Sequence, residues 1–254
     1  MEIVDFSILT LLLLFLAGFG AGFIDSIAGG GGIITLPVLL AVGIPPHFAL
    51  ATNKLQSSFG SFTATVNYTK RGLLKPRTVF EGVFFTFIGA VIGAVSVQYT
   101  SSKFLTNFII IMLIFLFFFT FFNKNLGFKE KISKMKPTIF YIIFGLVIGF
   151  YDGFFGPGTG SFWTITLVLL LGLHLKTATA QTKIFNFTSN IVSLGVFALS
   201  GLVLLKIGII MGVGQVIGAY SGSTLVVKKE VTFVRYVFLI VVAATILKLM
   251  YDKW

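Results

Sequence analysis

The feature that most constrains the fold of this chain is a series of long apolar runs that contain no charged residue. Each run holds roughly the 20 residues that an α-helix needs to cross a hydrocarbon core about 30 Å thick. The runs do not alternate apolar and polar residues, as the strands of a membrane barrel do, and are therefore predicted to be helices. They are Phe6–Ile24, Gly82–Ser102, Phe104–Asn123, Phe185–Leu205 and Ile207–Val227.

The overall composition agrees with a membrane location. Hydrophobic residues make up 56% of the 254 residues and charged residues only 11%, whereas about a quarter of the residues of a soluble domain are charged. The mean hydropathy is +1.02. The charged surface is too small to keep a globule of this size in water. We predict an all-α integral membrane protein that crosses the cytoplasmic membrane several times.

The basic residues lie at the ends of the apolar runs. The formal net charge is +11, an excess that nucleic-acid-binding proteins also show. Here, however, the positive charges flank predicted helices, as they do in the cytoplasmic loops of membrane proteins. We therefore expect lipid as a partner and no nucleic acid. The three clusters are Lys70, Arg71, Lys75 and Arg77; then Lys124, Lys129, Lys131, Lys134 and Lys136; then Lys228, Lys229 and Arg235.

The chain consists of two similar halves. Matching residues follow one another in the same order, with one short insertion in the second half, and the segments ATNK at 51–54 and AQTK at 180–183 fall in register. We predict a first membrane repeat at residues 1–122, a basic cytoplasmic linker at 123–137 and a second membrane repeat at 138–254. The matched pairs include Gly22 and Gly149, Asp25 and Asp152, Gly29 and Gly156, Gly43 and Gly172, Lys54 and Lys183, and Gly93 and Gly222.

The positions of the basic clusters predict that the two repeats have opposite orientations in the membrane. In the first half, the basic loop Lys70–Arg77 follows the third segment. In the second half, the corresponding loop Ser200–Lys206 carries a single charge, and the basic cluster Lys228–Arg235 follows the fourth segment. Because basic loops face the cytoplasm, corresponding loops should lie on opposite sides. Such inverted-topology repeats build many secondary transporters, and both termini are then expected outside the cytoplasm.

Each half contains a glycine cluster followed by a short apolar segment. The segment Ile33–Val42 has ten residues, about 15 Å of helix, and is too short to cross alone. Irregular backbone at membrane depth is tolerated where it is buried or lines a cavity, and a half-helix that begins there presents free N–H groups to an anion. We predict an anion-binding backbone at Gly30, Gly31 and Gly32, and at Gly158, Thr159 and Gly160.

Other glycines are spaced for helix packing. Pairs of glycines four residues apart allow two helices to approach closely. This is the expected role of Gly18–Gly22, Gly89–Gly93 and Gly218–Gly222, and close packing is also the alternative role of the two clusters.

Polar residues form a stripe on the third helix of each half. These helices are predicted to begin near His47 and Leu175, so Lys54 and Lys183 each lie well inside their helix, about 10 Å from its start. A lysine at that depth either faces protein or water, or extends its stem back to the interface. We predict that both lysines bind the transported anion together with neighbouring polar side chains. These are Asn53, Gln56 and Ser57 in the first half, and Gln181, Thr182 and Asn186 in the second.

One aspartate occupies the same position in each repeat. Three roles are open for Asp25 and Asp152: an ion pair with the lysine of the same repeat (Lys54 or Lys183), a cap on the following half-helix, or a site for a coupling proton. The two histidines stand apart from other metal ligands, and no acid–base cluster of an enzyme is found. We expect no metal, no cofactor and no catalytic activity.

The glycine block and the segments after it resemble the sulfite exporter TauE/SafE family of integral membrane proteins, also called TSUP. The resemblance rests on GFIDSIAGGGGIITLPVLL at 22–40, ALATNKLQSSFGSFTATVNY at 49–68 and the degenerate copy GFYDGFFGPGTGSF at 149–162. It implies transport of a sulfur-containing anion, such as sulfite or a sulfonate, driven by an ion gradient. The residues alone favour a small inorganic or organic anion. The alternative function is a membrane-embedded enzyme or an accessory subunit acting on a lipid phosphate.

Overall fold

The structure is a computed structural model that describes residues 6–105, 107–108, 111–112 and 133–228. Within these ranges the regular structure is entirely helical, which confirms the predicted all-α class. The bounded helices are α1 (Ile8–Ala28), α2 (Gly31–Ala41), α3 (Pro46–Lys70), α4 (Phe80–Gln98), α5 (Pro137–Phe154), α6 (Thr159–Leu170), α7 (Leu175–Leu199) and α8 (Leu205–Lys228), with a 3-10 turn at Pro76–Val79.

Four segments of the described residues are long and apolar enough to cross a membrane: Ile8–Ile27, Pro76–Gln98, Pro137–Phe154 and Leu205–Val227. Helices α3 and α7 have 25 residues each, about 37 Å of helix. They are also long enough to cross a membrane, but they carry the polar stripes, which lower their mean hydropathy. The chain is therefore a multi-pass membrane protein.

One predicted apolar run extends past the end of its helix. α7 begins at Leu175, as predicted, but it ends at Leu199, so the run Phe185–Leu205 is not one continuous helix. Gly201 then takes a φ of 67°, a left-handed conformation that glycine adopts without a steric penalty. The chain turns at that residue before α8 begins. Most of the predicted run Phe104–Asn123 and of the linker 123–137 lies outside the described residues.

Both glycine clusters break the helix, as predicted. Between α1 and α2, Gly29 and Gly30 have φ values of 74° and 128°. Between α5 and α6, Gly156 and Gly158 have φ values of 100° and 83°. The breaks are shorter than the clusters, since α2 already begins at Gly31 and α6 at Thr159. The N-termini of the two short helices α2 and α6 therefore lie at the breaks.

Helices of the two predicted repeats pack against each other through glycines. A Cβ added to Gly18 would lie 2.3 Å from the backbone oxygen of Met211, and one added to Gly218 would lie 2.0 Å from that of Phe19. α1 is thus in direct backbone contact with α8. Glycines of α4 and α5 make similar contacts, so the predicted packing role of the spaced glycines is confirmed. The inverted orientation and the repeat boundaries stay predictions.

Candidate functional site

The two helix breaks meet in the interior of the protein. A Cβ on Gly29 would lie 2.3 Å from the carbonyl carbon of Gly160, and a Cβ on Gly160 would lie 2.6 Å from Cα of Gly29. The hydroxyl of Ser161 donates to the carbonyl of Gly29 across this contact, at 3.0 Å. The positive φ of Gly29 and this close approach both require glycine. The glycine clusters therefore bring the beginnings of α2 and α6 together.

Two buried ion pairs flank this meeting point, and their partners are exchanged between the predicted repeats. Nζ of Lys54 lies 2.6 Å from Oδ1 of Asp152, and Nζ of Lys183 lies 3.1 Å from Oδ2 of Asp25. Each ammonium also donates to the backbone carbonyl of its aspartate. The lysines are 1% and 0% exposed, so neither extends to the membrane interface. The pairs expected within each repeat, Asp25 with Lys54 and Asp152 with Lys183, are wrong.

The two aspartates have different second partners. Oδ1 of Asp25 accepts hydrogen bonds from the backbone N–H groups of Gly30 and Gly31, at 3.0 and 3.3 Å. Asp25 therefore caps α2 in addition to pairing with a lysine. Oδ2 of Asp152 instead accepts a hydrogen bond from the hydroxyl of Ser189. The N-cap residue of α6 is Gly158, which contributes no side-chain hydrogen bond.

A chain of buried amides orders the polar stripe of α3. The amide nitrogen of Gln215 on α8 donates to Oε1 of Gln56. Gln56 in turn donates through Nε2 to Oδ1 of Asn53 at 2.7 Å and to Oγ of Ser57 at 2.9 Å. Oδ1 of Asn53 also accepts from the hydroxyl of Thr35, at 2.5 Å. Both acceptors are thereby occupied, which leaves the NH₂ group of Asn53 and the hydroxyl hydrogen of Ser57 as donors.

The aspartates, the glycine breaks and the polar stripes enclose one small cavity. Its volume is about 20 Å³, which is room for about one water. Its wall consists of Asp25, Gly30, Gly31, Gly32, Asn53, Ser57, Asp152, Gly156, Thr159, Gly160, Asn186, Asn190 and Gln215.

Most of the residues that the sequence singled out lie in this wall, and some do not. The lysines are held behind it by their aspartates. Six of the predicted residues are not part of the wall that the described residues form: Lys54, Lys183, Gln56, Gly158, Gln181 and Thr182. The hydroxyl of Thr182 is instead 3.1 Å from that of Thr164, which ties α7 to α6.

Three wall residues were not predicted as site residues. Asn190 belongs to the polar stripe of α7 and Gly156 to the second glycine cluster, so both carried a signal. Gln215 comes from a different helix. Its signal was a single amide within the uncharged run Ile207–Val227, where a polar side chain has to find a partner.

Three buried side-chain atoms on α7 have no hydrogen-bond partner among the described residues. They are Oε1 of Gln181, Oδ1 of Asn186 and Oγ of Ser193. Asn186 is 5% exposed and lines the cavity. A buried polar atom without a partner is uncommon in proteins and indicates a missing ligand or water. Asn186 is therefore available to a molecule that enters the cavity.

The histidines have structural contacts. The ring of His174 accepts a hydrogen bond from the backbone N–H of Lys176 at the start of α7, at 3.3 Å. A ring nitrogen of His47 lies 3.3 Å from the carbonyl oxygen of Val97. Within the described residues no three metal-ligating side chains come together.

Comparison with known proteins identifies the family. The sequence profile of the family described as sulfite exporter TauE/SafE matches residues 14–249. The probable membrane transporter protein ORF9 of Sinorhizobium is 41% identical over 248 residues, which cover 98% of this chain and 95% of that protein. The probable membrane transporter protein YfcA of Escherichia coli K12 is 42% identical, over 96% of this chain and 91% of that protein.

A third relative is almost coextensive with this chain. A probable membrane transporter protein of Haemophilus influenzae is 37% identical and covers 98% of both proteins. No solved structure matches the chain. The family match spans most of the chain and includes both glycine breaks and both ion pairs. The chain therefore belongs to the sulfite exporter TauE/SafE family and is a membrane transporter.

Proposed function

We propose that the cavity binds a small anion and that the protein carries it across the cytoplasmic membrane as a secondary transporter. Within that class we propose a sulfur-containing oxyanion, such as sulfite or a sulfonate. The family's description supports the choice of sulfur, since it names a sulfite exporter. The curated relatives are named as probable transporters without a substrate.

The observation that carries the proposal is the direction of the hydrogen bonds around the cavity. Because Gln56 and Thr35 occupy Oδ1 of Asn53, the group that Asn53 can offer to a ligand is its NH₂. Because Gln56 donates to the oxygen of Ser57, the hydroxyl hydrogen of Ser57 can be donated to the cavity. An anion that leaves water must recover its hydrogen bonds from donors. These donors suit an anion.

The beginning of α6 adds a further positive group. Its first two residues, Thr159 and Gly160, line the cavity, and the beginning of a helix attracts an anion through its dipole. Asn186 lies in the same wall, with Nδ2 beside Gly160. Its NH₂ can donate to a bound oxyanion.

We further propose that the small cavity belongs to a closed conformation. Room for about one water is less than an oxyanion needs. Substrate entry therefore requires the wall to widen. The helix breaks at Gly29–Gly30 and Gly156–Gly158 are the points where α2 and α6 can move relative to α1 and α5. Alternating access of this kind, around a site between repeats, is common in transporters with inverted repeats.

The experiment that tests the proposal is anion binding to the purified protein and to an Asn53→Asp variant. This change replaces the NH₂ donor with an acceptor and adds a negative charge at the cavity. We expect sulfite, thiosulfate or methanesulfonate to raise the melting temperature of the unchanged protein. Loss of one charge-assisted hydrogen bond costs about 1.5–3 kcal/mol, so Asn53→Asp should weaken the affinity by roughly 10- to 150-fold.

Asn67→Asp is the matched control on the same helix. Asn67 is buried and donates to Ser223 at 2.7 Å, but it does not belong to the cavity wall formed by the described residues. It should lose stability without a specific loss of affinity. Equal affinities of Asn53→Asp and the unchanged protein would refute the assignment of the site. Failure of every tested anion to bind or to enter proteoliposomes would refute the function.

A further inference from the structure

We propose that Asp25 takes up one proton when the anion binds, and that Asp152 does not. The inference rests on the proposed anion site and adds its coupling ion. The transported anion and the proton would then share one cavity and cross together.

The carboxylate of Asp25 occupies the groups that an entering anion needs. It accepts hydrogen bonds from the first N–H groups of α2, at Gly30 and Gly31, and it pairs with Lys183. It also lines the cavity, and its side chain is 18% exposed. An anion next to this carboxylate would be repelled by its negative charge. The carboxylate would also occupy the two groups that could attract the anion, which are the ammonium of Lys183 and the first N–H groups of α2. Protonation of Asp25 removes that charge and frees both the ammonium and the amides.

The charges around the cavity also favour one proton per bound anion. Two lysines and two aspartates sum to zero in the closed conformation. A monovalent anion would leave one uncompensated negative charge in a largely buried site, which is unfavourable. One proton on Asp25 restores neutrality. The step is a transfer of H⁺ from water to a carboxylate oxygen, and no bond of the anion is broken.

The other groups that face Asp25 do not supply an alternative proton site. α7 contributes Lys183, α3 contributes Tyr68, whose hydroxyl donates to the carbonyl of Ser26 at 2.6 Å, and α8 contributes the neutral Gln215. α2 and α6 contain no charged side chain. Asp152, the other carboxylate of the cavity wall, is paired with Lys54.

Asp152 is held differently, and the reason lies in one difference between the repeats. Its Oδ2 accepts from Ser189, and its side chain is 4% exposed. The first repeat has Gly60 at the position that matches Ser189, so Asp25 has no such hydroxyl and takes the α2 amides instead. Asp152 does not cap α6. Each of its carboxylate oxygens therefore already accepts from a side chain, Oδ1 from Lys54 and Oδ2 from Ser189.

The test measures proton uptake on anion binding by calorimetry, in two buffers with different ionisation enthalpies. Methanesulfonate and thiosulfate are suitable probes, because both stay fully ionised near neutral pH and any proton taken up goes to the protein. We expect about one proton per methanesulfonate in the unchanged protein. The dissociation constant of methanesulfonate should then rise about tenfold for each unit by which the pH is increased, because binding is linked to the uptake of one proton.

Two variants identify the proton site. Asp25→Asn imitates the protonated carboxyl, so it should bind methanesulfonate with no proton uptake and with an affinity independent of pH. Ser189→Ala removes the hydroxyl partner of Asp152 but no charge, and it should keep proton uptake.

The outcomes separate the two proposals. Anion binding without proton uptake by the unchanged protein would overturn the coupling and leave the proposed function standing. Proton uptake that persists in Asp25→Asn would overturn the assignment of the proton to Asp25. Absence of any anion binding by the unchanged protein would overturn both. In proteoliposomes, a pH gradient should drive methanesulfonate uptake by the unchanged protein and fail to drive it in Asp25→Asn.

Discussion

Replacing one partner of the buried ion pair between Lys54 and Asp152 should lower the stability of the protein. Lys54 is 1% exposed and its ammonium lies 2.6 Å from Asp152. Removing one partner leaves a buried charge without compensation, which costs about 3–5 kcal/mol. At about 2–4 °C per kcal/mol for a chain of this size, Lys54→Gln should lower the melting temperature by about 6–20 °C. Asp152→Asn should have a similar effect.

The double variants distinguish the partners. Lys54→Gln combined with Asp152→Asn leaves two amides that can hydrogen-bond to each other, and it should recover most of the lost stability. The coupling energy of this pair should be at least about 2 kcal/mol. The matched control is Lys54→Gln combined with Asp25→Asn, which are not in contact and should destabilise roughly additively.

Thermal unfolding of the purified variants in detergent measures these effects. Better recovery by the control pair than by Lys54→Gln with Asp152→Asn would refute the exchange of partners between the repeats. Full transport by a folded Lys54→Gln, Lys183→Gln protein would show that neither lysine supplies charge to the anion.

The remaining predictions concern packing, the amide chain and topology. Gly218→Ala should destabilise the protein by about 1–3 kcal/mol, because the new Cβ would lie 2.0 Å from a backbone oxygen of α1. Gly195→Ala, with nothing within 4 Å of the new Cβ, should be neutral or slightly stabilising; equal melting temperatures would contradict the packing argument. Gln215→Leu leaves a buried amide oxygen on α3 unpaired and should cost about 1–3 kcal/mol, whereas an unchanged melting temperature would contradict the buried chain. Since the chain has no native cysteine, Arg77→Cys and Ser200→Cys report topology: an impermeant thiol reagent should label them from opposite sides, and labelling from the same side would refute the inverted repeats.

Several features could be predicted from the sequence because they depend on local properties of the chain. The apolar runs indicate membrane helices whatever their neighbours are. The glycine clusters indicate helix breaks, because only glycine takes the positive φ values found at Gly29 and Gly156 without a steric penalty. The predicted helix starts near His47 and Leu175 agree with the starts of α3 and α7, at Pro46 and Leu175. The glycines spaced four residues apart indicate close helix packing, because small residues on one helix face allow a second helix to approach.

The partners of these elements were decided only by the tertiary structure. The repeat places one lysine and one aspartate in each half, and the sequence pattern is equally compatible with pairing within a half and between halves. The contact between the two helix breaks brings α3 next to Asp152 and α7 next to Asp25, so the pairs are exchanged. Gln215 joined the site for the same reason, since α8 packs beside the polar stripe of α3.

The different settings of the two aspartates also depend on three-dimensional contacts. Asp25 and Asp152 match in the sequence, but a serine on α7 reaches only Asp152, because the first repeat has glycine at the corresponding position. The sequence by itself determined that two aspartates and two lysines lie in broken membrane helices. Which of them pair, and which carboxylate stays at the cavity, depends on contacts between helices far apart in the chain, and only the folded structure brings those helices together.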